Sequence, residues 1–410
     1  MTVDEALSLV LAACNPRPPV EVELEEALDL VLAEDIASDV DSPPHDKSIV
    51  DGYAVRSEDL AGGPVQLTVV EEIMAGQVPA RQVGPGEAAR IMTGAPLPGG
   101  ADAVVMVERT EALGGGHHTL GSVRINQPHV AAGANVMRRG GSMRVGETIL
   151  QPETILRPGE IGLLAEAGRT RVRVHPRPSV AVVSTGNELV PAQHKPGPGE
   201  IRNSNGPMLL AAVRAAGGSP TSLGIARDDP EELRRMISSG LEANVLVLSG
   251  GVSAGVLDLV PGVLKELGVR QMFHKVQLKP GKPLWFGALA RSTGEKLVFG
   301  LPGNPVSSFV CFELFVRPAI ARLAGRPFHG HSFVEAALAK PHLQRGDRPT
   351  FHPARWRAPE GKENRLPTVE PLPWQGSGDL RGLVAANGLA YFPPGDRQFE
   401  RGEVIRMLML

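Results

Sequence analysis

The feature that limits this chain most lies between residues 179 and 323, where short apolar runs alternate with segments of helical period. "SVAVVSTG", "PTSLGIARDD", "NVLVLSGG" and "KLVFGLPGN" read as strands. "PMLLAAVRAAG", "PEELRRMISSGL", "LVPGVLKELG" and "PVSSFVCFELFVRPAIARLAG" read as the helices between and after them. Alternation at that spacing is the mark of a doubly wound, mainly parallel α/β domain, here near residues 173–327.

The flanking sequence has a different rhythm. Val3, Ala6, Leu7, Val10 and Leu11 repeat at helical spacing, as do Leu24, Ala27, Leu28, Val31 and Leu32, with "NPRPP" breaking the two apart. From "SPPHDKSIVDGYAV" onward the runs shorten. "VQLTVVEEI", "AARIM", "ADAVVMVE" and "SVRIN" are β-rich and punctuated by Gly and Pro, which predicts a small β domain at 45–142, with "GGGHH" at an exposed hairpin tip. Helical pattern returns within 148–171, around "PGEIGLLAEAG", and is expected to pack on the first two helices. The β domain then becomes an insertion into a split N-terminal domain, 1–44 plus 143–172. Residues 328–410 are short strands and turns, expected to close into a barrel or sandwich. The fold class is therefore α/β and β multidomain: a doubly wound α/β domain, an inserted β domain and a C-terminal β-barrel-like domain.

Composition excludes several function classes. A formal net charge of -3 over 410 residues argues against bulk nucleic-acid binding. The two cysteines, Cys14 and Cys311, form no CxxC and no disulfide framework, as expected in a reducing cytoplasm. The opening "MTVDEALSLV" carries acids where a signal peptide needs lysine or arginine, and no apolar run approaches a membrane span. The eleven histidines show no HExxH or other ligand spacing.

Chemistry is expected at the carboxyl ends of the parallel strands. "STGNEL" supplies Glu188, "ARDDP" supplies Asp228, "SGGVSAGVLD" supplies Gly250, Gly251, Ser253 and Asp258, and "LPGNP" supplies Pro302, Gly303 and Asn304 at a helix start. Glycines let backbone N–H groups approach an anion, and a helix N-terminus adds partial positive charge. No G-x-G-x-x-G and no G-x-x-x-x-G-K-[ST] is present, which disfavours a Rossmann dinucleotide site and a P-loop. Taken singly, each glycine loop is as well explained by a tight turn, and Asp228 ahead of Pro230 by a helix cap. Three strand-end acids facing a lysine cluster are more informative. In "HKVQLKPGKPLWFG", read as a strand, Lys275, Gln277 and Lys279 share one face and Lys282 follows a Pro-Gly turn. The combination suits a phosphate-like or oxyanion ligand with Mg²⁺, which needs only one or two carboxylates when it bridges a phosphate.

These stretches, together with "VDGYAV", "ARIMTGAPLPGGADAVVMVE", "GEIRNSN", "LKPGKP" and "GLPGNPVSSFVCFELFVRP", resemble the molybdopterin molybdenumtransferase family, which includes MoeA and the C-terminal domain of gephyrin. The match runs through nearly the whole chain. The resemblance implies an elongated four-domain homodimer in which 173–327 binds molybdopterin. Its cleft lies between the α/β domain of one subunit and the β domain of the other. The implied reaction consumes adenylylated molybdopterin and molybdate and yields molybdenum cofactor and AMP. By motif, Glu188, Asp228 and Asp258 hold Mg²⁺ and the nucleotide end, Lys275 and Lys279 neutralise the pyrophosphate, and Lys279, Lys282, Ser307, Arg348 and Ser377 bind molybdate. Asp51 and Thr93 reach into the partner's cleft. A molybdopterin adenylyltransferase is the candidate partner that delivers the substrate; no nucleic acid or membrane is expected.

The chain departs from the family at "GVLD", where Val256 and Leu257 stand and the usual acid after the glycine is missing, and at Gly141 and Ser142 in "RRGGSMRVGE", where a carboxylate is missing. Two other readings therefore stand beside the transferase. One is a nucleotide pyrophosphatase of the competence-damage-inducible type, which the α/β module also resembles; the other is a non-catalytic molybdopterin carrier or scaffold.

Overall fold

The computed structural model describes residues 1–114, 120–252, 259–292, 294–359 and 366–410. Its centre is a six-stranded sheet. Four parallel strands run in the order Ser219–Ala226, Ser179–Thr185, Val245–Ser249 and Gly294–Leu301, and two antiparallel strands, Trp285–Arg291 and Arg270–His274, complete it. The apolar runs follow from burial on both faces. Val180, Val182, Val245 and Val247 enter one hydrophobic core, while Ala181, Val183, Leu246 and Leu248 enter the other. Helices Asn205–Ala215, Pro230–Gly240 and Val260–Glu266 follow successive strands, and Pro305–Cys311 opens a helical run that continues through a π-helical stretch to Leu323.

The N-terminal segment corrects two expectations. Helix Val3–Ala12 forms, with a capping box in which Glu5 N donates to Thr2 Oγ1 (3.2 Å) and Thr2 N donates to Glu5 Oε2 (2.8 Å). Its Ala6, Leu7 and Val10 join the α/β core beside Ile320 and Leu323. The second expected helix does not form. Residues Val20–Glu23 and Val31–Leu32 are strands on either side of a single 3-10 turn, Leu24–Glu26. Both strands pair with Arg171–His175, and Asp29 at φ 63° interrupts any helical path. Leu28, which a helix would bury, is exposed. Sheet pairing with a distant segment has overridden local spacing. Helix Pro158–Glu166 packs with Ala27, Leu32 and Leu156, so it meets the turn and strands in place of two helices.

Between these pairings the chain makes a second six-stranded sheet, ordered Ala103–Met106, Gly52–Val55, Glu87–Ile91, Val65–Ile73, Ser122–Ile125 and Thr110–Leu113. The expected tip "GGGHH" lies mostly outside the described residues. The C-terminal strands Phe333–Leu338, Thr368–Pro371, Thr350–Arg357, Gly388–Phe392 and Val404–Met409 close into a barrel around Leu338, Val369, Phe392 and Met407.

Candidate functional site

The loops after the parallel strands enclose a pocket of about 480 Å³. Glu188, Asp228, Gly250, Gly251, Pro302, Gly303 and Asn304 all line it, as their strand-end positions predict. Asp258 and Ser253 lie outside the described residues.

Each side chain has a local cause. The cap of helix Pro230–Gly240 is Asp229, whose Oδ1 accepts from Glu232 N at 2.8 Å. Asp228 is thereby released from capping. It turns toward the first strand-end loop, where its backbone N donates to Asn187 Oδ1 (3.1 Å) and its Oδ2 accepts from Asn187 N (3.4 Å). Gly250 and Gly251 adopt φ 98° and 65°. A Cβ on Gly250 would lie 2.5 Å from Thr185 O, and one on Gly251 would lie 2.8 Å from Thr185 Oγ1. Only glycine fits this approach of two strand ends.

Several lining residues were not singled out from the sequence. Asn203 Oδ1 accepts from Gly206 N (2.9 Å) and Ser184 Oγ (3.0 Å). Asn205 is buried, and its amide donates to Ser249 Oγ at 2.8 Å and to Gly303 O at 2.7 Å, tying three loops together. Both belong to "GEIRNSN", a stretch legible as a family motif but with no residue type that points to chemistry by itself.

The lysine segment differs from the expected strand. The strand ends at His274, and Lys275 takes φ 74°. Residues 275–284 form a loop held by Lys275 N to Leu284 O (2.8 Å), Val276 N to Lys282 O (3.0 Å) and Gln277 N to Met1 O (2.9 Å). Lys279 alone makes a sheet-like bridge, to Thr350 at the start of the barrel strand Thr350–Arg357. Its N donates to Pro349 O (2.9 Å) and its O accepts from Phe351 N (2.8 Å). The predicted alternation survives as burial: Val276 and Leu278 are buried, Lys275 and Gln277 exposed.

Lys275, Lys282 and Arg348 do not line the acid pocket, where Arg202, a residue not singled out from the sequence, is the cation among the described lining residues. Lys275, Lys282 and Arg348, with Asp347, line a hollow of about 200 Å³. The two cavities adjoin through consecutive residues, since Lys282 lines the hollow and Pro283 the pocket. Arg348 is anchored by Nη1 donating to Leu278 O at 3.0 Å. Lys279 Nζ donates to Arg345 O at 3.4 Å. Ser307 is buried in the first turn of the helix that starts at Pro305, and Val306 N donates to Ser377 O (2.9 Å), which brings Ser377 to the same helix end.

Asp51 and Thr93 form a pair on the inserted sheet. Asp51 Oδ1 accepts from Thr93 Oγ1 at 2.6 Å and Thr93 N at 2.7 Å. The hydroxyl bond, then the backbone bond, holds this exposed carboxyl below the ordinary aspartate range. Neither residue lines the pocket of its own chain, and none of the described lining residues comes from 45–142.

Comparison with known proteins covers all of these elements. A profile described as "MoeA N-terminal region (domain I and II)" matches residues 1–168, "Probable molybdopterin binding domain" matches 181–322, and "MoeA C-terminal region (domain IV)" matches 335–410. A protein named molybdopterin molybdenumtransferase from Staphylococcus aureus is 33% identical over 412 residues, covering 99% of this chain and 95% of its own. Its namesake from Staphylococcus epidermidis is 32% identical, covering 100% and 95%. The crystal structure of the molybdopterin biosynthesis moeA protein from Pyrococcus horikoshii OT3 superposes with a TM-score of 0.81 at 31% identity, covering 100% of both chains.

Proposed function

Because the chain belongs to the molybdopterin molybdenumtransferase family of molybdenum cofactor biosynthesis, we propose that it transfers molybdenum from molybdate to adenylylated molybdopterin and releases AMP. The observation that carries this reading is the strand-end pocket of Glu188 and Asp228, adjoining a hollow of Lys275, Lys282 and Arg348. A nucleotide end with its metal suits the first, and a tetrahedral dianion suits the second.

The roles follow from charge. As the phosphoanhydride breaks, negative charge collects on the departing phosphate oxygens, and in this reading Lys275 and Lys279 neutralise it. Lys279, Lys282, Ser307, Arg348 and Ser377 would hold molybdate, with the Arg348 guanidinium presenting a rigid fork of donors that lysine lacks. Glu188 and Asp228 offer the oxygen ligands that Mg²⁺ prefers. Mg²⁺ held there would offset phosphate charge.

A homodimer completes the proposal. Asp51 and Thr93 lie outside their own chain's pocket, and the reading has them enter the partner's cleft. A molybdopterin adenylyltransferase would supply the substrate, and a cytoplasmic location goes with that supply. No helix among the described residues is long and apolar enough to cross a membrane. The pyrophosphatase alternative is disfavoured because full-length relatives carry the β domains as well as the α/β unit.

The test is incubation with adenylylated molybdopterin, Mg²⁺ and molybdate, with AMP as readout. Stoichiometric AMP is expected. Absence of AMP at saturating molybdate would sink the reading, and tight pterin binding without turnover would favour the carrier. Hydrolysis of ADP-ribose without any pterin would favour the pyrophosphatase.

A further inference from the structure

Two arginines flank the loops that carry the pocket's acids, and their hydrogen bonds set them apart. Arg227 spends its guanidinium on the backbone. Its Nη1 donates to Asn187 O at 2.7 Å and to Leu189 O at 3.3 Å, the carbonyls on either side of Glu188. Arg227 does not line the pocket, whereas Arg202 does. Arg202 lies on the short strand Ile201–Arg202, which runs parallel to Leu189–Val190 with Arg202 opposite Val190. Ile201 N donates to Glu188 O and Asn203 N to Val190 O, each at 2.8 Å, so the arginine is tied to the loop that carries Glu188. Its Nε donates to His194 O at 3.0 Å, which steadies the root of the guanidinium. Among the described residues Nη1 and Nη2 have no acceptor, and no carboxylate pairs with them.

We propose that Arg202 anchors the phosphate of the adenylyl group and keeps hold of it in the AMP product. The inference rests on the reading that this pocket takes the nucleotide end of the substrate.

The charges of the pocket demand such a residue. Glu188 and Asp228 are the acids among its described lining residues, and both repel a phosphate. Mg²⁺ bound to them offsets their two negative charges and leaves no surplus for the ligand. Arg202 supplies that surplus, because its guanidinium stays charged at every working pH. The geometry fits as well. With Nε committed to His194 O, Nη1 and Nη2 remain to meet two phosphate oxygens as a planar pair of charge-assisted donors. Arg202 moves no proton in this role; its contribution is binding. The division of labour between the cavities also follows. Lys275, Lys282 and Arg348 line the neighbouring hollow, so the phosphate that faces Arg202 is held apart from the cations assigned to the oxyanion.

The experiment is equilibrium binding of AMP and of adenosine to the full chain at saturating Mg²⁺, with wild type, Arg202→Gln and Arg202→Lys compared. Arg202→Gln should weaken AMP by about tenfold to a hundredfold, the range for a hydrogen bond to a charged group. Adenosine, which lacks the phosphate, should bind wild type and Arg202→Gln alike. Arg202→Lys keeps the charge and loses the planar fork, so it should recover part of the AMP affinity. Melting temperatures should agree within a few degrees, since the side chain is exposed and makes one hydrogen bond. AMP affinity unchanged in Arg202→Gln overturns the inference and leaves the transferase reading standing. Equal weakening of AMP and adenosine also overturns it, because a merely structural role would act on both. Failure of the wild-type chain to bind AMP overturns the nucleotide reading of the pocket together with the inference.

Discussion

Lys279 is the residue on which the electrostatics turn. Its backbone is fixed on both sides by Pro349 and Phe351, so the ammonium can be removed without loosening the chain that carries it. Lys279→Ala is expected to keep its melting temperature within a few degrees while losing about 10²–10³ in AMP-release rate, the usual cost of one lost charge-stabilising donor. Unchanged turnover would remove the lysine from the mechanism. The strand-end acids and glycines were legible because each sits directly after an apolar strand, a purely local signal. The conformation around Lys275 was not, because the loop is anchored by Gln277 N to Met1 O and Lys279 N to Pro349 O, partners that no local window contains.

At the scale of elements, the two adjacent aspartates before helix Pro230–Gly240 separate stability from activity. Asp229 caps the helix, and Asp228 lines the pocket. Asp229→Ala should cost about 1 kcal/mol of stability with little direct effect on turnover. Asp228→Asn should leave thermal unfolding unchanged and abolish turnover. If both variants showed the same profile in paired melting and AMP assays, the division would fail. The lost second helix teaches the same lesson in reverse. Ala27, Val31 and Leu32 are buried as their spacing demands, yet pairing with Arg171–His175 decides the backbone. Periodicity reported which residues go inside, and the long-range ladder chose the geometry.

For the whole molecule, the proposal that two subunits build each cleft has a direct consequence. Asp51→Ala and Asp228→Asn should each be inactive alone. After co-refolding in equal amounts, half the dimers are mixed and each mixed dimer holds one intact site, so about a quarter of wild-type activity should return. No recovery, with mixed dimers verified by differential tags, would place each site within one chain. The parallel sheet and the barrel were readable from strand rhythm, since short apolar runs between turn residues leave few other architectures. The return of the chain at Arg171–His175 to pair with residues 20–32 was not, because more than a hundred residues intervene.

The bridge between Lys279 and Thr350 joins a loop of the α/β unit to a strand of the barrel. One consequence is a division of labour that cannot be cut at residue 327. A free-standing α/β module would keep Glu188, Asp228 and the glycine turns, and with them a grip on nucleotide. It would forfeit Arg348 and Ser377 outright and release Lys279 from its mooring. Under the proposed roles, holding a phosphate is thus a talent of the module, whereas handling the metal oxide belongs to the fusion.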